Sequence, residues 1–154
     1  MKEESGRSLV EIIGVLAIGA IMIASAYSIY QSINNRQTRL IASETLKDVA
    51  KKTKTLYEFS GYGDLTATDG LDKLVTDGVL TNTNPPIGGA WEIKTTSDGT
   101  AFTITLKQLS YDDCEYFAVK KSDWAKEKKI NGSTTGTCAK NPSGDKNIVA
   151  FTVQ

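Results

Sequence analysis

The sequence predicts an α+β fold: a long N-terminal helix, half of it suited to a membrane and half to packing, against a small antiparallel β-sheet head. Three observations predict it. From Leu9 to Ile29 the chain is apolar, with Glu11 its single ionisable residue. Beyond that run a helical stripe continues to Phe59; after Gly19 the next glycine is Gly61, and no proline precedes Pro85. Alternating, β-branched segments then follow in the second half, separated by turn residues. A helix followed by grouped strands is the α+β order.

The apolar run holds 21 residues, and at 1.5 Å per residue it spans about 30 Å, the thickness of a bilayer core. Tyr27 and Tyr30 close it, where interfacial aromatic anchors are expected. A secretory signal peptide is the other reading, carried by the "ASA" at Ala24–Ala26; its apolar region would be shorter, about 7–15 residues. Lys2 and Arg7 before the run are matched by Arg36 and Arg39 after it, so the positive-inside count leaves orientation open. Gly14, Gly19, Ala20 and Ala24 are small residues that allow close helix approach.

The helix is expected to continue from about Ser8 to Phe59, roughly 75–80 Å. Ala42, Leu46, Val49, Thr53, Leu56 and Tyr57 form one apolar stripe, opposed by Glu44, Lys47, Lys51, Lys54 and Glu58. Glu44 with Lys47, and Asp48 with Lys51 or Lys52, have ion-pair spacing. Ile33, Leu40 and Ile41 lie on another face.

"SGYGDLTATDG" reads as a loop, and Leu71, Leu74 and Val75 as one face of a short helix with Asp69 as cap and Gly78 as stop. "NTNPPIGGA" is a turn. "AWEIKTT" and "TAFTITLKQL" alternate around "SDG" and form a hairpin, with Phe102, Ile104 and Leu106 on one side. "SYDDCEYFAVKKSDWA" reads as a helix capped by Ser110, with Asp113 three residues on. "NIVAFTVQ" is the last strand.

Composition narrows the chemistry. Charge balances at 18 basic and 18 acidic residues, so no global field draws the chain to nucleic acid. Histidine is absent, which removes the commonest general base and metal ligand. The sequence has no nucleophile elbow, P-loop, dinucleotide fingerprint or zinc spacing. Asp112 and Asp113 are adjacent and point apart on a helix, so they are no dyad. Asp64, Asp69, Asp72 and Asp77 do not match the EF-hand pattern, and no metal site is expected. "KKSDWAKEKK" carries five lysines around Trp124 and reads as solvated surface. "NGS" at Asn131 fits a glycosylation sequon, a pattern frequent by chance. Cys114 and Cys138 could pair in an exported domain or remain buried thiols.

Glu11 is the anomaly. A carboxylate at the centre of a membrane helix costs about 2.5–3.5 kcal/mol, less near an end. Either it snorkels, or it has a partner in an assembled state. Gly6, four residues, Glu11 and an unbroken apolar run together resemble the prepilin signature of type IV pilins and type II secretion pseudopilins. The "NP…GG" turn, the F-x-I strand, the "LSxxxC" helix and a second cysteine before a final strand resemble the head of type IVb pilins. The chain departs from that family in having Arg7 after the cleavage site, where Phe or Met is usual, and in lacking a proline in the apolar run.

The resemblance implies a leader at 1–6, an assembly and membrane half at 7–30, and a soluble head at 31–154 that includes the rest of the helix. It implies cleavage between Gly6 and Arg7 by a prepilin peptidase, N-methylation of Arg7, and pairing of Glu11 with the amine of a neighbouring subunit. It implies a Cys114–Cys138 disulfide. Ile33, Leu40 and Ile41 would face neighbouring subunits. The expected partners are other pilin subunits, the peptidase, the pilus assembly platform and the bacterial inner membrane; no cofactor, enzymatic activity or nucleic acid is expected. The precursor would be a single-pass inner-membrane protein and the assembled form an extracellular pilus. The other roles open to such a chain are a pseudopilin of a type II secretion system and a membrane-anchored extracytoplasmic binding domain.

Overall fold

The computed structural model describes residues 3–140 and 147–154, with the side chains of residues 3–8 outside the description. The elements in order are α1 (Glu3–Tyr57), α2 (Gly70–Thr76), β1 (Ala90–Thr95), β2 (Phe102–Leu109), α3 (Tyr111–Val119), β3 (Glu127–Ile130) and β4 (Asn147–Val153). This is the expected α+β layout. The chain divides between Thr38 and Arg39 into two units, a boundary beyond the Tyr30 at which the apolar run ends.

The first unit is α1 alone, and from Leu9 to Tyr30 its large apolar side chains are 57–73% exposed. The second unit holds the last turns of α1 and everything after it. Its antiparallel sheet has the order β1-β2-β4-β3. Phe102 lies opposite Val153, Ile104 opposite Phe151, and Leu106 opposite Val149, while Ile93 and Trp91 continue the same rows on β1. Side chains alternate across a strand, so these residues share one face, and all are buried. Ala42, Leu46, Val49, Ala50 and Tyr57 of α1 complete the core against that face, with Leu74 of α2 and Phe117 of α3. The expected helix stripe is therefore the buried one, except at Leu56, which is 48% exposed; Ala50 takes part in its place.

Local contacts position the helices. Gly70 opens α2 beside the backbone carbonyl of Ile93, where any β-carbon would collide. Gly78, with φ of 76°, ends the α2 segment in the left-handed region that glycine enters without strain. Asp69 occupies the cap position of α2, but its side chain makes no capping hydrogen bond. Ser110 does cap α3, accepting the Asp113 N–H at 3.2 Å. Asp113 in turn pairs with Arg39 of α1 at 2.7 Å. On the exposed side of α1, Asp48 pairs with Lys52 at 2.8 Å.

Candidate functional site

The apolar segment of α1 comes first. An 18-residue window reaches a mean hydropathy of 2.4 with none of it buried, so α1 is long and apolar enough to cross a membrane. Apolar side chains are exposed at consecutive positions, including Ile12, Ile13, Val15, Leu16, Ile21, Met22 and Ile23. Successive helix residues step by about 100°, so the apolar surface runs all the way round the helix. Such a surface is stable only when lipid or other apolar protein covers it. Glu11 lies on α1 at the start of this segment, against Ile12, Val15 and Leu16. Among the described residues it makes no ion pair. Gly6 and Arg7 belong to α1, and the side chain of Arg7 lies outside the described residues; Met1 and Lys2 lie outside them altogether.

The second feature is the staple of the head. Cys114 on α3 and Cys138 form a disulfide, with Cα atoms 5.9 Å apart. The loop it closes is pinned twice more. Asn147, buried at the start of β4, accepts the Ala139 N–H at 2.7 Å and donates to the Ala139 carbonyl at 3.0 Å. Asn131 donates to the Thr137 carbonyl at 2.9 Å and accepts the Ile148 N–H at 2.9 Å. The sequon amide nitrogen at Asn131 is thus engaged within the fold. Gly136 lets the loop pass the Ile130 carbonyl, where a β-carbon would collide.

The lysine-rich stretch around Trp124 corrects the sequence reading. It contains β3, where the sequence read only as solvated surface, and α3 ends at Val119 instead of running on to Ala125. Lys128 lies opposite Phe151, on the core side of the sheet. Its ammonium donates to the carbonyls of Phe117 at 2.8 Å, Ala118 at 2.5 Å and Lys120 at 3.1 Å. These are carbonyls at the end of α3 that lack helical partners, and a cation is the natural cap for them. Burial lowers the Lys128 pKa. A lysine can hold a core-facing position because its stem packs while its head finds polar partners. Trp124 packs on Phe151 with ring centroids 5.0 Å apart, so this surface is only half solvated.

Electrostatics elsewhere are local. Tyr57 donates its phenol to Asp77, and burial together with that bond raises its pKa. Hydrogen bonds from Thr96 and Thr100 hold Asp98, in the β1–β2 turn, down at about 2. Among the described residues no three His, Cys, Asp or Glu side chains converge on a metal-sized site. Comparison with protein-family models and with curated proteins finds no match to the chain.

Proposed function

We propose that the chain is a structural subunit of a type IV pilus, most like the type IVb pilins, made as a membrane precursor and polymerised through α1. The observation that carries this reading is the all-round apolar exposure of α1 from Leu9 to Tyr30, joined to a head that completes its own core. A chain built this way needs an apolar environment for one unit and water for the other. A bilayer supplies that environment before assembly, and neighbouring copies of α1 supply it in a filament core. Glu11 fits the same scheme. An acid in an apolar setting is tolerable when paired, and an amine at Arg7 of a neighbouring copy would be that partner once the leader through Gly6 is removed. The disulfide supports an exported head, since such bonds persist in oxidising compartments.

The test is the intact mass and N-terminal sequence of the protein from its native host. A mature chain beginning at Arg7 in material sheared from the cells is the expected result. A chain that keeps Met1–Gly6 in the membrane fraction would overturn the reading and leave a membrane-anchored domain. A chain processed at Arg7 but never sheared off as filaments would point instead to a pseudopilin.

A further inference from the structure

Asn131–Gly132 is the one Asn-Gly pair in the sequence. Such a pair is chemically labile. Glycine has no side chain to shield its amide nitrogen, and that nitrogen can attack the asparagine side-chain carbon to close a five-membered ring. Here the pair forms a tight turn after β3. Ile130 and Ser133 exchange both backbone hydrogen bonds, at 2.8 and 3.0 Å, and φ is 49° at Asn131 and 85° at Gly132. This is the two-residue hairpin in which Asn-Gly is favoured, because both positions are left-handed. The nucleophile is uncovered: among the described residues the Gly132 N–H makes no hydrogen bond. The carboxamide is held. Its oxygen accepts the Ile148 N–H at 2.9 Å, and its nitrogen donates to the Thr137 carbonyl at 2.9 Å and to the Asn147 side-chain oxygen at 3.4 Å. Thr137 precedes Cys138, and Ala139, which follows it, is bound to Asn147 by two hydrogen bonds. The Cys114–Cys138 disulfide therefore sits between the contacts that hold this loop against β4.

We propose that Asn131 is a self-modification site gated by the disulfide: with Cys114–Cys138 closed the carboxamide is fixed and Asn131 persists, and with it open Asn131 deamidates. Opening needs a thiol reductant, which supplies the electrons and protons for both cysteine thiols and leaves as its own disulfide. The remaining steps need only water. The Gly132 nitrogen bonds to the Asn131 side-chain carbon. The carbon–nitrogen bond of the carboxamide breaks, and ammonia leaves with the proton from Gly132. Water then opens the cyclic imide at either carbonyl. Cleavage at the side-chain carbonyl gives aspartate. Cleavage at the main-chain carbonyl gives isoaspartate, with the backbone rerouted through the side chain.

Neither product closes the loop as asparagine does. A carboxylate has no N–H to donate, and it would face the Thr137 carbonyl and the Asn147 oxygen, both acceptors. Isoaspartate also lengthens the backbone inside the turn and breaks the Ile130–Ser133 pairing. The change is a one-way record that a head has spent time with its disulfide open. It concerns the head alone, so it stands whether or not the chain is cleaved after Gly6.

The experiment incubates the full-length chain, purified in detergent, in mildly alkaline buffer under three conditions: oxidised, reduced with a dithiol, and reduced in denaturant. Peptide mass spectrometry counts asparagine, aspartate and isoaspartate at position 131, and amide exchange follows β2 in the same samples. Asn131 in the reduced chain is expected to react at least about tenfold faster than in the oxidised chain, because a site that opens locally reacts in proportion to its open population. Protection of β2 is expected to survive reduction. Equal rates in the oxidised and reduced chains overturn the proposal, as does an oxidised chain that reacts as fast as the denatured one. Faster reaction accompanied by loss of β2 protection also overturns it, since the whole head has then opened and the disulfide is no local gate. Cys114→Ser with Cys138→Ser, without dithiol, should match the reduced wild type; a rate as slow as that of the oxidised wild type sinks the gate. Asn131→Asp tests the one-way step. After reduction and reoxidation it is expected to regain the disulfide about tenfold more slowly than wild type, because its carboxylate faces two acceptors; equal recovery overturns that step.

Discussion

The two units of this chain solve opposite problems with the same helix. From Leu9 to Tyr30, α1 keeps its large apolar side chains exposed at every angle. After Arg39 it is amphipathic, hiding Ala42, Leu46, Val49, Ala50 and Tyr57 under the sheet while Lys47, Lys51 and Lys54 stay in water. The difference teaches where stability comes from. The second unit carries its own core and its own covalent staple. In the first, the large apolar side chains from Leu9 to Tyr30 are exposed, so whatever stabilises it beyond the helical backbone comes from what covers that surface. On the pilus reading, changes in the apolar segment of the first unit should act on assembly, and changes in the buried core of the second on folding.

The largest expected effect tests the first half of that contrast. On the pilus reading, Glu11→Gln leaves the Arg7 amine of a neighbour buried without a counter-charge. Breaking a buried pair costs about 3–5 kcal/mol, which is more than about 100-fold in filament yield. The unfolding midpoint of the head should not move. Normal yield, or a destabilised head, would break the separation between the units. Phe151→Ala is the converse. Phe151 is fully buried between Phe117 and Trp124, and truncation should cost about 3–5 kcal/mol of head stability by denaturant titration. Removing the disulfide comes next. It closes a loop with a sequence separation of 24, and Cys114→Ser with Cys138→Ser should lower stability by about 3 kcal/mol.

Much of this architecture was legible because its residues speak locally. The apolar run, the Ala42–Tyr57 stripe, the hairpin around "SDG" and the Ser110 cap each follow from spacing within a few residues. β3 was not legible, because "EKKI" carries three charges in four residues and reads as surface. Only the register opposite β4 reveals that Lys128 faces the core, and only the end of α3 explains how its charge is tolerated there. The helix boundary at Val119 has the same origin: Lys120 turns extended, and the chain swings away to seat Trp124 on Phe151. The Gly6–Glu11 spacing was legible as a motif, and on the pilus reading the partner of Glu11 would lie in another molecule.

Lys128 offers a sharper test of that hidden order. Lys128→Met keeps the stem and removes the ammonium, leaving the carbonyls of Phe117, Ala118 and Lys120 without their donor. The loss should be about 1–3 kcal/mol, the cost of stranding buried acceptors. Amide exchange should speed up in α3 and β3 more than in β1. A neutral result would mean that water reaches those carbonyls, and the surface would then be as solvated as its sequence suggests.

The smallest effect lies in the β1–β2 turn, at a group with no burial to assist it. Asp98 accepts from the Thr96 hydroxyl at 2.5 Å and from the Thr100 hydroxyl at 2.7 Å, which lowers its pKa from 3.8 to about 2. A depressed carboxylate stabilises the fold above its unfolded value, and that contribution fades as pH falls from 3.8 towards 2. Solvent screens an exposed group, so the turn should tighten only slightly. The carboxyl resonance of Asp98, followed by NMR, should titrate near 2 in the wild type and rise towards the ordinary aspartate value in Thr96→Val. On the pilus reading, filament assembly should be indifferent to the change, since the hydrogen bonds of Asp98 are confined to its own turn. An assembly defect in Thr96→Val with the head intact would place this turn in a subunit contact and redraw the division between surfaces that fold the head and surfaces that join one head to the next.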